Sequence, residues 1–332
     1  MHQYTHAWLS LKAVEFLNKL EGKFCEQRND RLNKFNEFIS KHPNTFVRGA
    51  WFPDSVIADN LQGGHTWKYY LDANGREVQY KPPNHNKCKD FVSGNVDIKV
   101  SLNLRCSNLP DRCEALGQTI RDTILITNSV KSGDVIVFND SQTALFFLML
   151  SHYICDSHVP VHCDNRDLND PSKVHWDLEE YWEDEVKKYY KISEKHEIFD
   201  LDENQRLQRN TDIGGWEESI LYKVNQITED IVWDNIDVDE KSWNVFLGST
   251  NKNFWDYIVS VCFVSFRLSL EMFPQEPQHG IDYNTVRIME TSPFKEKVIK
   301  YSPYILADAI NSVALLWFAA WERWELLKKE VI

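Results

Sequence analysis

Positive charge is scarce in this chain: 37 Lys and Arg stand against 50 Asp and Glu, a formal net charge of -13 at pH 7. That balance excludes broad electrostatic attraction to nucleic acid or to an anionic membrane surface. Either remains open as a substrate, because divalent cations bound inside an acidic protein supply positive charge locally. The sequence has no G-x-S-x-G elbow, no P-loop and no Rossmann glycine fingerprint, so no protein nucleophile or phosphate-cradling loop announces itself. A His-Asp dipeptide is also absent, which excludes the helical phosphohydrolases built on that adjacent pair.

Other absences bound the setting. The seven cysteines, Cys25, Cys88, Cys106, Cys113, Cys155, Cys163 and Cys262, are odd in number and form no C-x-x-C. They read as free thiols, with one disulfide among Cys88, Cys106 and Cys113 open in an oxidising compartment. The N-terminus MHQYTHAWLSLKAVEFL lacks a basic region, a long apolar stretch and a small-residue cleavage site, so no secretory signal is read. The expected location is cytoplasmic as written, or secreted for a mature form without its leader. The apolar runs Phe254 to Phe273 and Ile305 to Ala320 are interrupted by Asp256, Arg267, Asp308 and Asn311, which predicts core helices and no transmembrane segment. Internal repeats and low-complexity tracts are missing as well.

At 332 residues, 42% of them hydrophobic and 26% charged, the chain has the composition of a folded globular protein with ample core. A period of 3.6 residues dominates. It predicts helices over Ala7 to Leu20, opened by Thr5, and over Thr143 to Cys155, a central buried helix. Further helices are expected over Val174 to Tyr190, Glu203 to Ile231, Phe254 to Phe273 and Pro303 to Lys329. Between about Ala73 and Asp140 turn formers prevail and VDIKVSLNL reads as a short strand. The expectation is one all-α domain over residues 1–332 with a loop or short-strand insertion at about 73–140.

The densest chemistry lies in LMLSHYICDSHVPVH, Leu148 to His162, where His152, Asp156 and His162 follow the spacing His-x3-Asp-x5-His. A second pair, His175 and Glu179, is again four residues apart. On a helix, positions i and i+4 share a face, so each pair can converge on one point. Acidic side chains are rarely buried unless paired or metal-bound, which makes these five residues a metal-site pattern rather than core or surface decoration. Upstream, His6, Asp54 and His65 are further candidates, although each taken singly also reads as a helix cap or turn residue. His158 reads as a rim residue near substrate, and Cys155 and Cys163 as small buried side chains. His42, His85, His196 and His279 read as surface or capping residues. Trp51, Trp67 and Trp176, each close to a candidate ligand, are placed to line a cleft.

These residues carry a family resemblance. HYICDSHVPVH resembles the H-Y-x-x-D-x-x-x-P-x-H signature of the zinc-dependent bacterial phospholipases C and the related fungal single-strand zinc nucleases. THAWLSLKAVEFL is similar to the family's first helix, GAWFPDS and GGHTWKYYLDANG to its Asp and His segments, and VHWDLEE to its closing His-x3-Glu or His-x3-Asp. The resemblance spans residues 1 to about 190 and implies a multi-helix fold with three zinc ions. One ion would be held by Asp54, His65, His152 and a bridging Asp156, a second by His162, His175 and Glu179. The third would take His6, Asp156 and the amine and carbonyl of the N-terminal residue. The relatives begin with Trp, whereas here that residue is Met1, with His2 as a substitute if Met1 is removed.

The implied activity is phosphodiester hydrolysis. Zinc lowers the pKa of bound water from 15.7 to about 7, so metal-bound hydroxide is available to attack phosphorus at neutral pH. Asp54 would orient or deprotonate that water. The substrate would be a phospholipid or single-stranded nucleic acid. The phospholipase branch carries Tyr directly after the Asp, where this chain has Ser55. The nuclease branch carries a base-stacking aromatic directly after the His, where this chain has Thr66, then Trp67. Glu179 and the YYLDANG run lean toward a phospholipase C-like enzyme, with a single-strand-specific nuclease second. A non-catalytic relative that binds zinc for structure is the third alternative, since catalytic sites differ from structural ones in keeping an open coordination position.

Overall fold

A computed structural model describes residues 1–58, 64–80, 109–129, 139–166, 168, 173–193, 195–233, 253–273, 283, 285–292 and 294–330. The fold is all-α, as the 3.6-residue period predicts, with two small two-stranded sheets among the described residues. Helix α1 (Gln3–Lys19) carries a face of Ala7, Trp8, Leu11, Val14 and Leu17 that is buried. Helix α2 (Glu26–Ser40) is polar apart from Leu32, Phe35, Phe38 and Ile39, which meet the core. A short helix α3 (Phe46–Phe52) runs into a single π turn at Pro53–Ile57.

Then follow α4 (Leu109–Ser129), α5 (Asp140–Ser157), α6 (Lys173–Tyr189), α7 (Ile220–Asp230), α8 (Asn253–Met272) and α9 (Phe294–Glu330). Helix α5 opens on a capping box: the Asn139 side chain accepts from the Gln142 backbone N–H while Gln142 accepts from that of Asn139. It lies centrally, packed against α1, α3, α4, α8 and α9. The long α9 also touches α1, α2 and α7. Trp317 of α9 donates its indole N–H to the Phe147 carbonyl at 2.7 Å within an aromatic cluster that includes Phe35. Buried Glu322 joins α9 to α2 through Arg28 at 3.0 Å and Arg31 at 3.1 Å.

Strands β1 (Tyr69–Leu71) and β2 (Glu77–Gln79) form an antiparallel hairpin, with Tyr69 opposite Gln79 and Gly75 supplying the positive φ of the turn. The Tyr69 N–H donates to the Cys163 carbonyl at 2.8 Å, tying the hairpin to the segment after α5. Strands β3 (Ile192–Ser193) and β4 (Ile198–Phe199) pair similarly after α6.

Several boundaries differ from the sequence reading. Helix α1 starts earlier, with His2 at its N-cap and Thr5 inside the first turn. Residues 203–219, expected to be helical, form turns with isolated β-bridges at Leu207 and Arg209, and the helix starts only at Ile220 on the Ser219 cap, after Gly214 and Gly215. Helix α9 starts at Phe294 and runs through Pro303, because Phe294 and Val298 are buried against the core. Within the expected insertion, Leu109–Ser129 is a helix packed against α5, α8 and α9, with Leu109, Cys113 and Ile120 buried. The VDIKVSLNL segment and Cys88 and Cys106 lie outside the described residues; Cys25, Cys113, Cys155, Cys163 and Cys262 are free thiols. Phe294–Glu322 of α9 is long and apolar enough to cross a membrane by length and composition, and most of it is buried inside the fold.

Candidate metal centre

Three helices, a π turn, the 3-10 turn Pro160–His162 and the turn at His65 bring the candidate ligands together. Helix α5 carries His152 and Asp156 one turn apart, with His152 Nε2 3.2 Å from Asp156 Oδ2. Helix α6 does the same with His175 and Glu179, Nε2 to Oε1 2.8 Å. Both distances follow from the i,i+4 spacing. The π turn after α3 delivers Asp54, whose Oδ1 lies 3.5 Å from His65 Nδ1 and 3.6 Å from His152 Nε2. Helix α1 inserts His6, its ring stacked on that of His152 with centroids 3.9 Å apart.

Three groups of donors result, each with its ligand atoms within 4.8 Å of one another: His6, His152 and Asp156; Asp54, His65 and His152; His162, His175 and Glu179. Asp156 serves two directions. Its Oδ2 lies 2.7 Å from His65 Nδ1, while its Oδ1 lies 3.4 Å from His6 Nε2 and 3.3 Å from the Met1 amine. The same amine is 2.8 Å from Glu179 Oε1, so Met1 sits between the two buried carboxylates. Every residue expected to ligate metal therefore falls in one connected cluster.

The donor chemistry fits a cation. His152 Nδ1 is 2.7 Å from the Ala50 carbonyl oxygen, which only a protonated Nδ1 can donate to, leaving Nε2 with a lone pair facing the cluster. Among the described residues, wholly buried His6 has no hydrogen-bond partner at either ring nitrogen, and buried His162 Nδ1 has none either. Burial, with help from His152 and the Met1 amine, holds His6 well below the ordinary imidazole range, and burial lowers His162 despite Asp156. Both are neutral acceptors at pH 7. His162 Nε2, His175 Nε2 and Glu179 Oε1 crowd within 3.2 Å of one another, so all three converge on one point. Burial opposes charge on Asp156, but the charged Met1 amine beside it holds its carboxyl well below the usual range. Glu179 is lowered in the same way, against burial, by His175 and the amine. Unpaired buried groups of this kind are costly unless an ion satisfies them. These buried His, Asp and Glu groups can hold metal ions.

The cluster opens to solvent at its edge. Asp54 and His175 are its most exposed side chains, at 21% and 22%, whereas Asp156 is at 1%. Beyond Asp54 stand exposed Ser55, Val56 and Ile57, and beside His175 stands Trp176, at 59% exposure and edge-on to His2. Ser55 donates its hydroxyl to the Trp51 carbonyl at 2.9 Å.

Of the expected substrate contacts, Trp67 and His158 are buried and engaged within the fold, whereas Thr66 is half-buried beside His65. Trp67 is buried edge-on to Trp255 and donates to the Tyr69 hydroxyl, and Thr66 offers its carbonyl to the N–H of Leu109. His158 is no rim residue: it is buried against α9, with Nε2 2.9 Å from Ser312 Oγ and Nδ1 3.4 Å from Asp308. Its position at the end of α5 turns it a full side away from Asp156. The Ser312–His158–Asp308 order mimics a hydrolytic triad, but Ser312 is wholly buried within α9, where no substrate reaches it.

Sequence reasoning missed two supports, the Ala50 carbonyl behind His152 and the Glu183 carboxylate on α6. Glu183 had a signal, since it continues the four-residue spacing of His175 and Glu179. Against this geometry, comparison with protein-family models, with curated proteins and with solved structures found no match.

Proposed function

We propose that this chain is a zinc-dependent phosphodiester hydrolase, phospholipase C-like in its substrate. The observation that carries the reading is the carboxylate of Asp156, buried and shared between His65 and His152 on one side and His6 and Met1 on the other. A single buried carboxylate facing two donor groups is what a multinuclear site needs and what a lone structural ion does not. Asp54, His65, His152 and Asp156 would hold one ion, His162, His175 and Glu179 a second, and His6, Asp156 and Met1 a third. Imidazole and carboxylate donors of this kind suit zinc. When bound, zinc supplies Lewis acidity and positive charge against a phosphate at neutral pH.

The chain's own residues divide the remaining tasks. His152, oriented by Ala50, keeps its lone pair aimed into the cluster. Asp54 stands at the solvent-facing edge, where a carboxylate oxygen can take the proton of a water attacking phosphorus. The departing alkoxide takes its proton from solvent, which the open edge admits.

The phospholipid branch is favoured over the nuclease branch by what surrounds the two exposed ligands. Val56, Ile57 and Trp176 present apolar surface next to Asp54 and His175 in sequence, and the net charge of -13 repels a polyanion. Trp67, the aromatic nearest the nuclease stacking position, is buried and engaged. The test loads the protein with zinc, measures metal per chain, and assays bis-p-nitrophenyl phosphate, a panel of phospholipid vesicles and single-stranded DNA side by side. Turnover of phospholipid is expected. Zinc binding without turnover of any of the three supports the non-catalytic reading, and cleavage of DNA alone supports the nuclease.

A further inference from the structure

Glu183 lies one turn beyond Glu179 on α6 and belongs to none of the three donor groups. Its buried carboxylate reaches α1 instead. Oε2 accepts from the Thr5 backbone N–H at 2.8 Å and from the Thr5 hydroxyl at 2.9 Å, and Oε1 accepts from the Tyr4 N–H at 3.2 Å. Tyr4 and Thr5 are the second and third residues of α1, whose N–H groups have no acceptor within their own helix. His2 at the N-cap contributes no side-chain cap, and the first turn of α1 holds no acidic residue. The cap that α1 lacks locally comes from α6, with its negative charge at the positive end of the helix. On the solvent side Lys187 Nζ stands 3.5 Å from Oε1.

The consequence falls on the next residue. His6 follows Thr5 directly, and its Nε2 must come to rest 3.4 Å from Asp156 Oδ1 with no hydrogen bond from the described residues to guide it. His175, Glu179 and Glu183 form one column on α6, so the helix that supplies two candidate ligands also fixes the helix that supplies His6. We propose that Glu183 is a positioning residue: by capping α1 it sets where His6 meets Asp156, and so governs the ion held there. This rests on the metal reading above. The competing role is a cap that stabilises the fold and leaves metal binding untouched.

The two roles separate in a zinc titration of metal-stripped protein against a chromophoric chelator, with total zinc per chain measured alongside, for wild type, Glu183→Ala, Glu183→Gln, His6→Ala and the double variant. Loss of a residue that orients a ligand typically weakens metal affinity about 10- to 100-fold. Glu183→Ala is expected to weaken the most loosely held ion by that factor, as His6→Ala does. The double variant should bind no worse than His6→Ala alone, because both changes act through one ligand. Glu183→Gln keeps one carbonyl acceptor and is expected to fall between wild type and Ala. If Glu183→Ala does not fold, Glu183→Gln carries the comparison. Wild-type affinity for every ion in a variant that has lost melting temperature overturns the proposal, as does a loss additive with His6→Ala. A wild-type protein that binds no zinc overturns the metal reading and this inference together; zinc bound equally by wild type and Glu183→Ala overturns this inference alone.

Discussion

His152 Nδ1 lies 2.7 Å from the carbonyl oxygen of Ala50, so a backbone group on α3 decides which nitrogen of a helix α5 imidazole faces the donor cluster. That carbonyl is held close because its neighbour is Gly49. A Cβ built on Gly49 would stand 2.6 Å from Leu148 Cδ1 and 3.0 Å from Leu148 Cβ. The first contact can be relieved by rotating a flexible side chain. The second cannot, because it sits on the backbone of α5. Gly49→Ala is therefore expected to push α3 off α5, costing about 1–3 kcal/mol as overpacking does. It should also weaken zinc affinity by about tenfold through the displaced Ala50 carbonyl. Denaturant melts of the metal-free protein and a zinc titration check the two effects separately; unchanged values in both would remove the close approach from the account.

Asp156→Asn tests the shared carboxylate. The change keeps size and one carbonyl oxygen but removes the charge facing both His65 and the Met1 amine. Zinc content is expected to fall by at least one ion per chain. Without metal, the amine loses a buried partner, a class of change that costs about 3–5 kcal/mol. The lower end of that range applies, since Glu179 still pairs with the amine at 2.8 Å. A variant with wild-type zinc content and melting behaviour would mean that Asp156 bridges nothing.

The metal-free protein should have a bounded pH range of stability. The carboxyls of Asp156 and Glu179 are held below their ordinary values of 3.8 and 4.5, so their contribution is present above those values and is lost as pH falls through the folded ones. The Met1 amine is pushed from its ordinary 8.0 up to about 11, against burial, by Glu179, Asp156 and Asp54. A raised pKa works with the opposite sign: its contribution is complete below 8.0 and lost as pH rises toward 11. Melting temperature in EDTA is expected to be highest from about pH 5 to 8 and to decline on both sides. Continued stabilisation up to pH 10 would contradict the buried ammonium. With zinc present the acid side should steepen, because protons compete for the same lone pairs.

The parts of this arrangement that could be read from sequence are the local ones. His152 with Asp156 and His175 with Glu179 converge because a helix sets i and i+4 on one face, and the long apolar helices α5 and α8 fall where their period indicates. Helix α4 lies in a stretch flanked by turn formers, and two of its partners, α8 and α9, are supplied by distant sequence. Residues 203–219 carry charges that look helical, but the turn at Gly214 and Gly215 delays the helix until the Ser219 cap. His158 shares its segment with three candidate ligands, yet its place at the end of α5 turns it toward Ser312. Glu183 and Ala50 act across 178 and 102 residues, separations at which spacing holds no information.

Asp54→Asn distinguishes a catalytic carboxylate from a purely ligating one. Asp54 is the most exposed carboxylate of the cluster, and Oδ1 alone faces His65 and His152, at 3.5 and 3.6 Å. Asparagine can still present an oxygen in that direction, so zinc content should hold near the wild-type level. It cannot accept a proton at neutral pH, so hydrolysis of bis-p-nitrophenyl phosphate should fall by about 100- to 10,000-fold, the range general-base groups contribute. The loss should appear in kcat with little change in KM, because a proton acceptor acts in the transition state rather than in binding. Retained turnover with full zinc would assign Asp54 to metal holding alone, and the base would have to be sought at His175, the other exposed member of the cluster.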